Sequence, residues 1–145
     1  MGAANYIQAY KTNPVTLNTA NTDRSGATTT NLVQGQAGDA AGLTRALKTV
    51  IQAVGPTTEG EIQAFIYDGT NYTPIPGAII PVAARTNVTL PLQPFSAVFD
   101  WEKMFPGTAA GVPLMDTSHK IAYRTQNTAS GSTDLFKLTE FAAKG

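Results

Sequence analysis

Residues 61–75 read EIQAFIYDGTNYTPI, and this stretch decides the fold class. Ile62, Ala64 and Ile66 alternate with Gln63, Phe65 and Tyr67, the two-residue period of a strand with apolar groups on both faces. Asp68-Gly69 follows, a pair that allows the positive φ angles of a tight hairpin turn. A returning strand then begins at Tyr72. Pro74, Pro76 and Pro81 have no N–H to give to a sheet ladder, so Tyr72 to Val82 is expected at a sheet edge or broken by bulges. A proline-blunted edge also resists stray pairing.

Upstream, Leu43 to Val54 is ambiguous. Leu43, Ala46, Leu47, Val50, Ile51 and Val54 fit helical spacing, whereas Leu47, Thr49, Ile51 and Ala53 would share one face of a strand ending at Gly55-Pro56. The β-branched run Thr49, Val50, Ile51 favours the strand, and the strand at Glu61 offers it a hairpin partner across the short turn 55–60. Nearer the start, Val15 and Leu17 alternate with Thr16 and Asn18 after the Asn13-Pro14 break. The turn-rich stretch 21–26 leads to a strand expected over Thr28 to Val33, and GQAGDAAG (35–42) reads as a flexible loop.

Downstream, Val88, Leu90 and Leu92 occupy one parity and Phe95, Ala97 and Phe99 the other. Pro91 and Pro94 between them mark a bulge that switches the face. WEKMFPGTAAGVPLM (101–115) is a long loop that must cover the core or contact a partner. Lys120 to Gln126 is a further strand, 127–134 a turn, and Leu135 to Ala143 a last strand, with a short helix as the alternative. About eight short strands separated by turns define an all-β chain, an antiparallel β-sandwich or jelly roll. Residues 1–14 are expected as an extended N-terminal arm and 15–145 as a single domain, the size of which suits 145 residues and one core.

Composition agrees. Charged residues are 14% of the chain, well under the roughly 25% of an ordinary domain, so polarity comes from hydroxyls and amides. Ten basic and ten acidic residues give a formal net charge of zero, without the positive field that nucleic acid or an anionic membrane attracts. Neither partner is expected. With no cysteine there is no disulfide, thiolate nucleophile or thiolate metal site. MGAANYIQAY lacks a basic and an apolar leader region, and no run approaches the roughly 18 apolar residues of a membrane span, so a soluble, unprocessed chain is expected.

Reactive constellations are sparse. Asp116, Ser118 and His119 lie close in sequence, but a triad requires convergence in space with an oriented base, and the plainer reading is a polar turn before the Lys120 strand. The acidic residues form no calcium loop, and GQAGDAAG lacks the Gly-Lys-Ser/Thr ending of a phosphate cradle, so no metal or cofactor is expected. Asn71-Tyr72-Thr73 and Asn87-Val88-Thr89 match glycosylation acceptors but read as turn and strand residues. Candidate partner-binding residues are Trp101, Met104 and Phe105 in the long loop and Tyr6, Ile7 and Tyr10 in the arm. The alternative for Trp101 is a loop folding its own aromatics over one end of the sandwich.

TTEGEIQAFIYDGTNYTPI (57–75) and HKIAYRTQNTASGSTDLFKLTEF (119–141) together resemble small virion structural proteins of tailed bacteriophages, with a Phe-Ile-Tyr-Asp-Gly-Thr strand end, a Gln-Asn turn and a final strand. The stretch Asp23-Arg24-Ser25-Gly26 before a Thr-rich segment fits the same pattern. The resemblance implies a β-sandwich without enzymatic activity on the capsid surface of the virion, a decoration or cement protein. It further implies the major capsid protein as partner and a homo-oligomer, most often a trimer. Two rivals are a tail, neck or fibre component binding tail proteins or a host-surface glycan through Tyr67, Tyr72 and Trp101, and, more remotely, a small hydrolase built on Ser118, His119 and Asp116.

Overall fold

The computed structural model describes residues 8–11, 14–35, 44–85, 94–104, 114–115, 118–127 and 136–144. Along the chain run β1 (Gln8–Lys11), β2 (Val15–Leu17), β3 (Val33–Gln34), β4 (Thr44–Ala53), β5 (Gly60–Tyr67), β6 (Tyr72–Val82), β7 (Ser96–Asp100), α1 (Trp101–Met104), β8 (Leu114–Met115), β9 (Lys120–Thr125) and β10 (Phe136–Lys144). They form an all-β sandwich of two antiparallel sheets. The larger is ordered β1-β10-β4-β7, with β2 added to β10 and β8 to β4; the smaller is ordered β3-β9-β5-β6.

The ambiguous segment is strand β4, as expected, but not for the expected reason. β4 pairs with β10, β7 and β8, whereas β5 pairs with β6 and β9, so the hairpin between β4 and β5 does not form. Gly55-Pro56 interrupts the ladder, and Thr57 then exchanges both backbone hydrogen bonds with Arg85 at 3.0 Å while its hydroxyl donates to the Ala83 carbonyl. The connection therefore crosses from one sheet to the other.

A second correction concerns Thr28 to Val33, of which only Val33 enters a strand. The Thr28 and Thr30 carbonyls accept from Asn21 Nδ2 at 2.9 and 2.7 Å, and the Thr28 N–H donates to Asp23 Oδ2. Side chains thus occupy the groups a ladder would need. Asn31 at φ +63° then closes a turn from Leu32 N–H to the Thr29 carbonyl.

The Asp68-Gly69 hairpin is present, as a four-residue loop with only Gly69 at positive φ. Asp68 Oδ1 accepts the N–H groups of Thr70 and Asn71, and Asp68 N–H donates to the Asn71 carbonyl. β6 is an edge strand, and its register against β5 slips between Gln63 and Phe65, so both consequences expected of its prolines occur.

Between the sheets, Leu17, Ile51, Phe99, Phe136 and Leu138 of the larger sheet meet Ile62, Ile121 and Tyr123 of the smaller. Each such side chain contributes about 1.5–3 kcal/mol on burial. Trp101 joins them. Asp100 Oδ1 accepts the Lys103 N–H, capping a single helical turn that swings the indole inward, where it stacks on Phe99 at 5.0 Å. Residues 8–11, inside the segment expected as an arm, pair with β10; residues 1–7 lie outside the described residues.

Candidate docking surface

Three strands of the larger sheet carry a regular grid on their outward face. Register aligns Lys137, Gln52 and Ser96 in one row, Thr139, Val50 and Val98 in the next, and Phe141, Lys48 and Asp100 in the third. Alternation in each strand sends the neighbours Thr49, Ile51, Phe99, Leu138 and Glu140 into the interior. Val98 remains 48% exposed and Phe141 39%. Val50 and Val98 occupy the middle row and Phe141 a corner, among Lys48, Lys137, Gln52, Ser96, Thr139 and Asp100, so apolar and polar groups are mixed as on a protein interface.

The outward face of the smaller sheet is covered over β5 and β9, while Ile79 on edge strand β6 stays 37% exposed. Phe65 and Ala122 there are fully buried, as are Gln63 and Arg124. Arg124 donates through Nε to Gln63 Oε1 at 2.7 Å, through a terminal nitrogen to the Asn21 carbonyl, and through the other to Glu61. Arg24 forks onto the same Glu61 carboxylate, with Nε to Oε2 at 2.8 Å, and Gln63 Nε2 donates to the Arg24 carbonyl. Hydrogen bonding from Arg24, with Arg124 behind it, outweighs desolvation and lowers the Glu61 carboxyl from 4.5 to about 2. The network fastens the 21–31 segment across β5 and β9.

Between the sheets, Trp101 Nε1 donates to Thr49 Oγ1 at 2.9 Å, and Thr49 lies 2.9 Å from the Tyr123 hydroxyl, which donates to Glu140 Oε2 at 2.6 Å. Because the indole can only donate and Tyr123 gives its proton to Glu140, the Thr49 hydroxyl donates to Tyr123. Burial, then the nearby Glu140 carboxylate, hold the Tyr123 hydroxyl well above its usual range. All four side chains are at most 1% exposed, so this chain ties the sheets together without access for a substrate.

Of the candidate residues, Trp101 is fully buried and is corrected from a surface anchor to a core residue; Met104 packs partly buried against the same core. Tyr10 lies on β1 opposite Ala142, and Tyr6, Ile7 and Phe105 are outside the described residues. Ser118 and His119 are exposed at the start of β9, while Asp116 lies outside the described residues, so no triad is assembled among those described. The carboxylate that feels His119 is Asp68, and its lowered pKa comes first from the backbone N–H groups of Asn71 and Thr70. Among the described residues no group of His, Asp and Glu could hold a metal, and no helix is long and apolar enough to cross a membrane.

The sequence reading missed Val50, Val98 and Phe141 as surface residues. The signal is weak, since Val50 and Val98 stand alone among Lys48, Gln52, Ser96 and Asp100 of the same parity. The architecture defines an all-β sandwich of two antiparallel sheets. No family model, no curated protein and no solved structure matches the chain.

Proposed function

We propose that the protein is a non-enzymatic virion structural protein, a decoration protein that binds and stabilises an assembled phage head. The observation that carries the reading is the outward grid of the larger sheet, on which Val98 and Phe141 are exposed. The likeness at 57–75 and 119–141 to small phage virion proteins supplies the kind of partner, the major capsid protein.

Magnitude shapes the mechanism. A grid of three strands by about five residues measures roughly 10 by 14 Å, far below the roughly 800 Å² that each partner buries in a stable complex. One copy so attached would bind weakly. Residues 1–7, leading into edge strand β1, and self-association as a trimer are assigned the remaining contact, and linked copies would gain affinity by avidity. Bound copies favour the assembled shell by mass action, since they bind it and not its separated subunits. The test is to mix the protein with empty heads lacking tails: saturable binding supports the reading, and no binding at any maturation state rejects it.

A further inference from the structure

At the end of the smaller sheet where β5 turns into β6, the 25–29 loop and the 70–72 turn wall a groove of about 320 Å³. We propose that this groove is a binding site for a neutral sugar, one or two pyranose rings in size. It lies on the sheet opposite the docking grid, so the assignment stands apart from the head-binding reading.

Both walls are fixed before any ligand arrives. Asp23 accepts from the N–H and hydroxyl of Ser25 and from the Thr28 N–H, and Asn21 holds the Thr28 and Thr30 carbonyls. Across the groove, Asp68 clamps the N–H groups of Thr70 and Asn71. Gly26 joins the two walls: at φ +84° a side chain there would lie 2.4 Å from the Tyr72 carbonyl oxygen, so only glycine allows the approach. A site built this way loses little entropy on binding.

The lining has the chemistry of sugar recognition. Tyr72 is its aromatic member, backed by Tyr67 at 4.6 Å between ring centroids. The Tyr67 hydroxyl donates to the Gly69 carbonyl, and the Tyr72 hydroxyl accepts from Gln34 Nε2, so both rings are held in orientation. Among the described residues, the side chains of Thr29, Thr70 and Asn71 are engaged in no hydrogen bond, leaving two hydroxyls and an amide to meet ligand hydroxyls. No charged side chain lines the groove, which favours a neutral ligand over a sugar phosphate or a sialylated glycan. Its volume falls at the low end of the roughly 300–1,000 Å³ of ligand pockets, enough for a mono- or disaccharide and too little for a long chain.

The experiment is saturation-transfer NMR on the full chain with a panel of neutral probes: the methyl glycosides of glucose, galactose and mannose, N-acetylglucosamine, lactose and maltose. Sialyllactose and glucose 6-phosphate serve as anionic comparators. The expected result is transfer to at least one neutral probe with millimolar affinity, weakened about tenfold by Asn71→Ala combined with Thr70→Ala. These substitutions remove only unused polar atoms, so the fold and head binding are retained. Tyr72→Phe keeps the ring and most of the affinity. No transfer to any neutral probe, preference for an anionic comparator, or unchanged affinity in the double variant overturns the proposal.

Discussion

Trp101 and Thr49 meet inside the sandwich, the indole N–H donating to the threonine hydroxyl at 2.9 Å. This bond begins a path of side-chain hydrogen bonds between the sheets, running on through Tyr123 to Glu140. Thr49→Val keeps the shape and removes the relay, leaving the fully buried indole N–H without its acceptor. The expected loss is about 1–3 kcal/mol, read as a lowered denaturation midpoint, while Thr49→Ser retains most of the stability.

Glu61→Gln should cost about 3 kcal/mol, the lower end for breaking a buried pair. Arg124 is fully buried but keeps Gln63 and the Asn21 carbonyl as acceptors, which softens the loss. Chemical denaturation checks the value. A variant as stable as the parent would remove Glu61 as the fastener of the 21–31 segment.

The same carboxylate sets an acid limit. Because its folded pKa of about 2 lies below the ordinary 4.5, the ionised form stabilises the fold above about pH 4.5, and that contribution is lost as pH falls towards 2. Asp23 and Asp68, also lowered by backbone hydrogen bonds and, for Asp23, first by the Ser25 hydroxyl, act in the same direction. Urea midpoints followed from neutral pH downwards should hold and then fall in this window. Glu61→Gln should flatten the fall in part; an identical profile would contradict the assignment.

Two glycines separate backbone strain from contact. Gly26 and Gly77 both have positive φ, but a Cβ at Gly26 would meet the Tyr72 carbonyl oxygen at 2.4 Å, whereas at Gly77 nothing lies within 4 Å. Gly77→Ala should cost about 1–2 kcal/mol from conformation alone, and Gly26→Ala distinctly more. Equal losses measured by thermal unfolding would show that the close approach of the 25–29 loop to β6 does not matter.

What could be read from sequence follows the range of the interactions. The β5 strand, the edge position of β6 and the strand β9 declare themselves through alternation, proline and turn residues within a few positions. The partner of β4 does not, because Thr49 faces Glu140 and Phe99 across long stretches of chain. Trp101 looked like a surface aromatic because it opens a long loop with Met104 and Phe105 beside it; the Asp100 cap that turns it inward is a single hydrogen bond. Arg124 and Glu61 carried no signal of burial, since their cover comes from the distant 21–31 segment. The docking grid was legible only in part, since Val50 and Val98 stand alone among polar residues of their parity and their faces could not be assigned before the sheets were.

Val98→Glu and Phe141→Glu change half-buried side chains, so each should lower stability by about 1–3 kcal/mol, the cost of the apolar area lost. Each places a charge on the grid, Val98 in its middle row and Phe141 at a corner, where docking would bury it. Sedimentation with tailless heads should therefore show binding by the parent and loss in the double variant, which still unfolds in one cooperative transition.

The most direct measurement is an electron-microscopy reconstruction of virions or of heads incubated with the protein. The account predicts density for the sandwich over the capsid lattice, with the outward face of β4, β7 and β10 against the shell and the groove beside Tyr72 facing away. Density confined to the tail or neck, or a decorated head on which this face points into solvent, would contradict it.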